Sequence, residues 1–178
     1  MVALIIIIYY NQCMTRSIGA VQMNTFRQLP VFVYGTLRPG FSNHQRLAGR
    51  FDDEFPALLP GSALFVRGGL PWAVDRRDGS LRQSSPAEAG NVRGEVLRIS
   101  SGLYAKVLAD LDRFEGFSPR SRPEVCLYQR VARVVHYERD GRWAQTEAWV
   151  YLAGSATAEE LTADELISDG VWRSGRAA

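Results

Sequence analysis

Histidine and cysteine are scarce in this chain, two of each among 178 residues. His44 and His136 lie far apart, and Cys13 and Cys126 have no Cys-x-x-Cys or Cys/His spacing. A structural zinc site needs four closed ligands, which this set does not supply, so no metal is expected. Nothing in the spacing argues for a disulfide, and a reducing cytoplasm is the default compartment. An excess of one charge is missing too, since 21 basic residues nearly cancel 19 acidic ones and leave a formal net charge of +2. No dense basic cluster interleaves with aromatics, so neither nucleic acid nor an anionic membrane is expected as a partner. No apolar run approaches the roughly twenty residues that span a bilayer. The phosphate, zinc-protease and serine-hydrolase motifs G-x-G-x-x-G, Walker A, H-E-x-x-H and G-x-S-x-G are all absent. If the chain is an enzyme, what remains is chemistry without a cofactor, run by a carboxylate and backbone donors.

What is present is ordinary in bulk: 46% hydrophobic and 22% charged residues, enough for one domain with a sizeable core. The first segment stands apart. Val2 to Tyr10 reads V-A-L-I-I-I-I-Y-Y, without the basic flank or small-x-small site of a signal peptide. Residues 1–22 are expected to lie outside the domain as an extension, with Met14 or Met23 as alternative starts. The competing reading is an edge strand, because consecutive isoleucines favour β-structure.

Strand signals then follow in the order of a small, mostly antiparallel β domain. They cover Val31 to Tyr34, Ala57 to Val66 with a break at Gly61, Pro71 to Val74, and Asn91 to Ile99. Tyr128 to Glu138 and Trp143 to Leu152 form a pair joined by Asp140-Gly141, a strong hairpin signal. Alternation puts Ala148, Val150 and Leu152 on one face of the last strand and Glu147, Trp149 and Tyr151 on the other. Helices are predicted over Phe41 to Gly49 and over Gly102 to Phe114, the second with Ser100 or Ser101 as N-cap. Arg76 to Gly90 reads as a surface loop. Thr157 to Ile167 is expected to form a last polar helix, with Trp172 pinning the chain end back on the barrel.

On the second helix Leu103, Tyr104, Val107, Leu108, Leu111 and Phe114 fall within an arc of about 140°. Continuing the rotation places Glu115 at about 120°, inside that apolar arc. A carboxylate there faces the core side at the negative end of a helix, and both effects raise its pKa. A general base gains from such a shift. The residues leave a second placement open, in which the helix ends early and Glu115 turns into water. Glu95 and Glu147 compete for the role but sit within strands, as partners for nearby arginines.

Val31-Phe32-Val33 is a buried strand that ends at Gly35, where glycine permits a sharp turn and close approach of a ligand. Backbone N–H groups of Gly35, Thr36 and Leu37 could form an anion-binding nest there, or the segment could be a plain turn.

The two stretches V-F-V-Y-G-T-L-R (Val31 to Arg38) and L-D-R-F-E-G-F (Leu111 to Phe117) together resemble the signatures of the γ-glutamylcyclotransferase-like superfamily, including its γ-glutamylamine cyclotransferase and AIG2-like branches. The resemblance runs from about Pro30 to Tyr151, and the domain is drawn at residues 30–155, followed by a C-terminal helix or tail at 156–178. Leu70, in Gly69-Leu70-Pro71, departs from the aromatic usual in the family's turn. The resemblance implies an α+β fold, a small and mostly antiparallel β-barrel flanked by a few helices. It implies Glu115 as catalytic base, and Tyr34, Gly35, Thr36, Leu37 and Tyr151 as substrate-binding residues. The reaction implied is cyclisation of a small γ-glutamyl amide to 5-oxoproline with no cofactor. A binding module without turnover, and a hydrolase or transferase attacking the same bond, are the alternatives.

Overall fold

The structure, a computed structural model, describes residues 28–76, 90–122 and 126–173. The isoleucine-rich N-terminal segment and most of the expected 76–90 loop lie outside the described residues. The strands are β1 (Val31–Val33), β2 (Phe51–Leu59), β3 (Ser62–Arg67), β4 (Leu70–Asp75), β5 (Val92–Ile99), β6 (Tyr128–Arg139), β7 (Arg142–Ala153) and β8 (Leu166–Ile167). Helix α1 spans Tyr104–Phe114 and helix α2 spans Ser155–Glu160.

Five strands close a barrel in the order β1-β5-β2-β6-β7. All pairs are antiparallel except the one that closes the ring, where Val31 of β1 meets Trp149 of β7 in parallel. A second sheet, β4-β3-β8, packs beside it. The fold is the mixed α+β barrel that the resemblance implied.

Alternation along the strands builds two apolar layers. Phe32, Ala57, Leu59, Val96, Val135, Ala148 and Val150 belong to one cluster. Val31, Val33, Leu97 and Tyr151, their neighbours along the same strands, join a second cluster that includes Val107 and Leu111 of α1. Those two helix residues are almost fully buried, while Lys106 and Arg113 are exposed, so the predicted apolar arc is the docking face. Burying side chains of this size stabilises by about 1.5–3 kcal/mol each, enough to seat an eleven-residue helix that would be marginal alone.

Several expectations need correction. The helix expected over Phe41 to Gly49 is only a 3₁₀ turn at His44–Arg46. Asn43 and His44 turn their side chains back to Thr36 and Leu37 of the preceding loop. Helix α1 starts at Tyr104 after a 3₁₀ turn at Ser101–Leu103, and the Ser100 hydroxyl bonds Asp52 of β2 instead of capping it. Strand β2 begins at Phe51, six residues before the expected Ala57, because Asp52, Asp53 and Glu54 obscured its alternation. Past residue 153 the expected single helix is divided. Helix α2 stops at Glu160, Thr162 and Glu165 form a capping box, and Leu166–Ile167 pair with β3. Trp172 is buried in the core cluster that contains Phe32 and Val150, so it packs back on the barrel as expected.

Candidate active site

Glycine decides the geometry at two points. Helix α1 ends at Phe114 with Glu115 as its C-terminal cap, and Gly116 takes φ +65°, a left-handed conformation that glycine adopts without steric cost. The amide of Phe117 then bonds the Asp112 carbonyl at 2.8 Å, and that of Gly116 bonds the Arg113 carbonyl at 3.4 Å. This is a Schellman end, and it turns the chain sharply just after the carboxylate. At Gly35 the reason differs from the one expected. Its φ lies outside the left-handed region, and a Cβ there would overlap Cγ of Pro71 in β4. Close approach of two segments, rather than the turn itself, requires glycine.

The loop after β1, the end of α1 and the starts of β4 and β6 enclose a cavity of about 280 Å³. Glu115, Tyr34, Gly35, Thr36, Leu37 and Tyr151 all line it, so the six residues singled out in the sequence are brought to one place. Glu115 is the one carboxylate among the lining residues, and no hydrogen bond or ion pair reaches its side chain among the described residues. Burial raises its pKa from the usual 4.5 to about 7, with the Arg46 guanidinium partly opposing the rise. The placement of Glu115 on the core side is therefore the one adopted. The Arg46 guanidinium carbon lies over the Phe114 ring, 4.2 Å from its centroid.

The loop opposite is braced from outside. Arg38 forms a two-pronged ion pair with Glu95 of β5, at 2.7 and 2.8 Å. Glu95 is thus an arginine partner, as its strand position suggested. Asn43 ties the loop from its other side, donating its side-chain amide to the Thr36 hydroxyl and its backbone N–H to the Thr36 carbonyl. Among the turn and loop hydrogen bonds of the described residues, the N–H groups of Gly35, Thr36 and Leu37 donate to none.

The tyrosines are more committed than their place in the sequence suggested. Tyr34 donates its hydroxyl to the Tyr151 carbonyl at 2.6 Å and accepts from the Ala73 N–H at 3.3 Å. It thereby links the loop to β7 and β4. Burial, and then the neighbouring Tyr128 and Glu115, push its pKa well up, so it stays neutral. Tyr151 donates its hydroxyl to Asp112 at 2.7 Å. Sequence reasoning missed Tyr128, which lines the cavity, stacks on Trp72 at 4.5 Å and donates to the Pro71 carbonyl at 2.8 Å. Its only sequence signal was an aromatic at a strand start, which is common. Leu70 and Leu127 also line the cavity and remain exposed, so its rim is aliphatic. No cluster of three or more metal-ligating side chains occurs among the described residues.

The barrel's cavity thus brings one carboxylate, its pKa raised by burial, together with the residues of the loop after β1. The chain belongs to the γ-glutamyl cyclotransferase, AIG2-like family, whose model matches residues 31–174. That family acts on small γ-glutamyl substrates. Among solved structures, YkqA from Bacillus subtilis is 26% identical with a TM-score of 0.51, the match covering 81% of this chain and 39% of YkqA. This chain therefore spans about two fifths of YkqA. An AIG2-like protein from Mus musculus is 21% identical with a TM-score of 0.51, over 77% of this chain and 81% of that one. A yeast γ-glutamyl cyclotransferase specific to glutathione is 17% identical with a TM-score of 0.53, over 77% of this chain and 75% of that one. The last two likenesses are likenesses of fold. Comparison with curated proteins gives no match.

Proposed function

We propose that this protein is a γ-glutamyl cyclotransferase that converts a γ-glutamyl amide to 5-oxoproline and a free amine, with Glu115 as the acid–base group. One observation carries the reading: the only carboxylate among the lining residues, with a pKa of about 7, shares its cavity with Gly35, Thr36 and Leu37, whose N–H groups donate to none of the turn and loop hydrogen bonds of the described residues. A free α-ammonium has a pKa of about 8, so a base near 7 is well matched to it.

The substrate binds with its α-carboxylate and γ-carbonyl toward the Tyr34 to Leu37 loop, where the N–H groups neutralise charge without solvent. Glu115 removes one proton from the α-ammonium. The nitrogen lone pair then attacks the γ-carbonyl carbon, and a tetrahedral oxyanion forms against the loop donors. Protonated Glu115 gives its proton to the departing nitrogen, the C–N bond breaks, and Glu115 takes the second proton from the new ring nitrogen. That proton leaves with the released amine as its ammonium ion, and the carboxylate is restored. Nucleophile and electrophile sit in one molecule, so the protein has mainly to fold the substrate and stabilise charge. Tyr151 contributes its ring to the cavity wall, since its hydroxyl is engaged with Asp112.

No helix among the described residues is long and apolar enough to cross a membrane. The cytoplasm is the proposed compartment, on the scarcity of cysteine. Identifying products from a panel of γ-glutamyl amides and dipeptides tests the reading. Release of 5-oxoproline supports it, free glutamate favours a hydrolase, and binding without product favours a ligand-binding module.

A further inference from the structure

Helix α1 is fastened to β7 at both ends. Near its start, the Trp149 indole N–H donates to the Tyr104 hydroxyl at 3.0 Å, and that hydroxyl donates to the Leu29 carbonyl at 2.9 Å. Near its end, the Asp112 carboxylate accepts the Tyr151 hydroxyl at 2.7 Å, and one guanidinium nitrogen of Arg130 at 3.0 and 2.9 Å. Arg130 and Tyr151 are register partners on β6 and β7, so Asp112 bridges two adjacent strands. Arg130 also faces the rings of Trp149 and of Phe117, the residue that completes the helix end. The ion pair is little exposed, at 13% for Arg130 and 17% for Asp112, where charge-assisted hydrogen bonds are strong.

Asp112 lies three residues before Glu115, one helical turn away on the same side. Helix ends fray, and an ionised carboxylate is drawn toward water when its helix end loosens. Something has to hold Glu115 in the cavity against that pull, and among the described residues no hydrogen bond or ion pair reaches its own side chain.

We propose that Asp112 and the Tyr151 hydroxyl are positioning residues for Glu115: they clamp the last turn of α1 to β7 and so keep the carboxylate facing the loop at Gly35 to Leu37. The claim rests on the cyclotransferase reading for its kinetic consequences and on geometry alone for its physical one. Among the described residues, the charged and titratable groups that interact with Glu115 are Arg46 from the 3₁₀ turn, Tyr34 beyond β1 and Tyr128 of β6. Asp112 is not among them, since it faces Tyr151 and Arg130. Replacing Asp112 therefore acts on Glu115 through position, not through direct charge.

The variants are Asp112→Asn and Tyr151→Phe in the full chain. Two readouts are followed: kcat and KM for 5-oxoproline release, and the titration of the Glu115 carboxyl by ¹³C NMR of glutamate-labelled protein, its signal assigned by its loss in Glu115→Gln. A displaced base should lower kcat at least about tenfold with little change in KM, since small misplacements of reacting groups are costly. A more hydrated Glu115 should titrate lower than its parent value near 7 by about one unit or more. Tyr151→Phe leaves the Asp112–Arg130 pair intact, so it decides the question if Asp112→Asn fails to fold. Folded variants with parental kcat and an unmoved Glu115 titration would overturn the proposal and leave the network a purely structural tie. If the parent turns over no γ-glutamyl compound, the cyclotransferase reading falls, and the NMR midpoints of the variants still decide the positioning claim.

Discussion

Replacing Glu115 by glutamine changes one atom and removes both a proton acceptor and a desolvated charge. The two consequences have different magnitudes and are measured separately. Turnover should fall roughly 10²–10⁴-fold, the usual contribution of a positioned general base, while affinity for 5-oxoproline stays within about tenfold because the shape persists. Stability should move the other way. In the folded protein Glu115 holds its proton up to about pH 7, against the ordinary 4.5 of an exposed glutamate. Between those values the folded state binds more protons than the unfolded one, so the parent loses stability as pH rises from 4.5 toward 7. The shift corresponds to about 3 kcal/mol by pH 8. Glutamine cannot ionise and escapes this cost. The variant should therefore unfold at higher urea concentration than the parent at pH 8, with the difference closing as pH falls to about 4.5. The assays are 5-oxoproline release by mass spectrometry and urea unfolding at both pH values. Parental turnover would remove Glu115 from the mechanism. A stability difference independent of pH would show that Glu115 is not desolvated.

If Glu115 is the general base, as proposed, the kcat/KM of the parent should rise with pH and level off above an apparent pKa of about 7; a profile flat down to pH 5 would contradict this. Gly35→Val should weaken 5-oxoproline binding by at least tenfold and cost about 1–3 kcal/mol of stability, through overlap with Pro71. Calorimetry showing unchanged affinity would refute the loop's role. Deleting residues 1–22 should leave the melting temperature within a few degrees of the parent, and a large drop would place the isoleucine run in the core.

Much of the barrel was legible because its strands are long and patterned. The β6–β7 hairpin was visible through Asp140-Gly141, and alternation correctly put Ala148, Val150 and Leu152 in one layer. The apolar arc of α1 pointed Glu115 toward the core, and the structure adds that desolvation is the main cause of its raised pKa. What stayed hidden depends on contacts far apart in sequence. Asp52, Asp53 and Glu54 made β2 look like a loop, since Asp53 and Glu54 are placed by pairing with β5 and not by burial, and Asp52 sits at a register shift between Phe51 and Asp53. Ser100 looked like a cap but found Asp52 instead, 48 residues away. Tyr128 and Asp112 gave no local sign of their roles, because one is defined by a stack on Trp72 and the other by partners on β6 and β7.

The claim that the amide bond is broken by the substrate's own amine is tested most directly by running the reaction in H₂¹⁸O. Intramolecular attack keeps the original carbonyl oxygen, so the product should be 5-oxoproline carrying no ¹⁸O from solvent. Glutamate with one ¹⁸O in its γ-carboxyl would mean that water is the nucleophile, and would contradict the account.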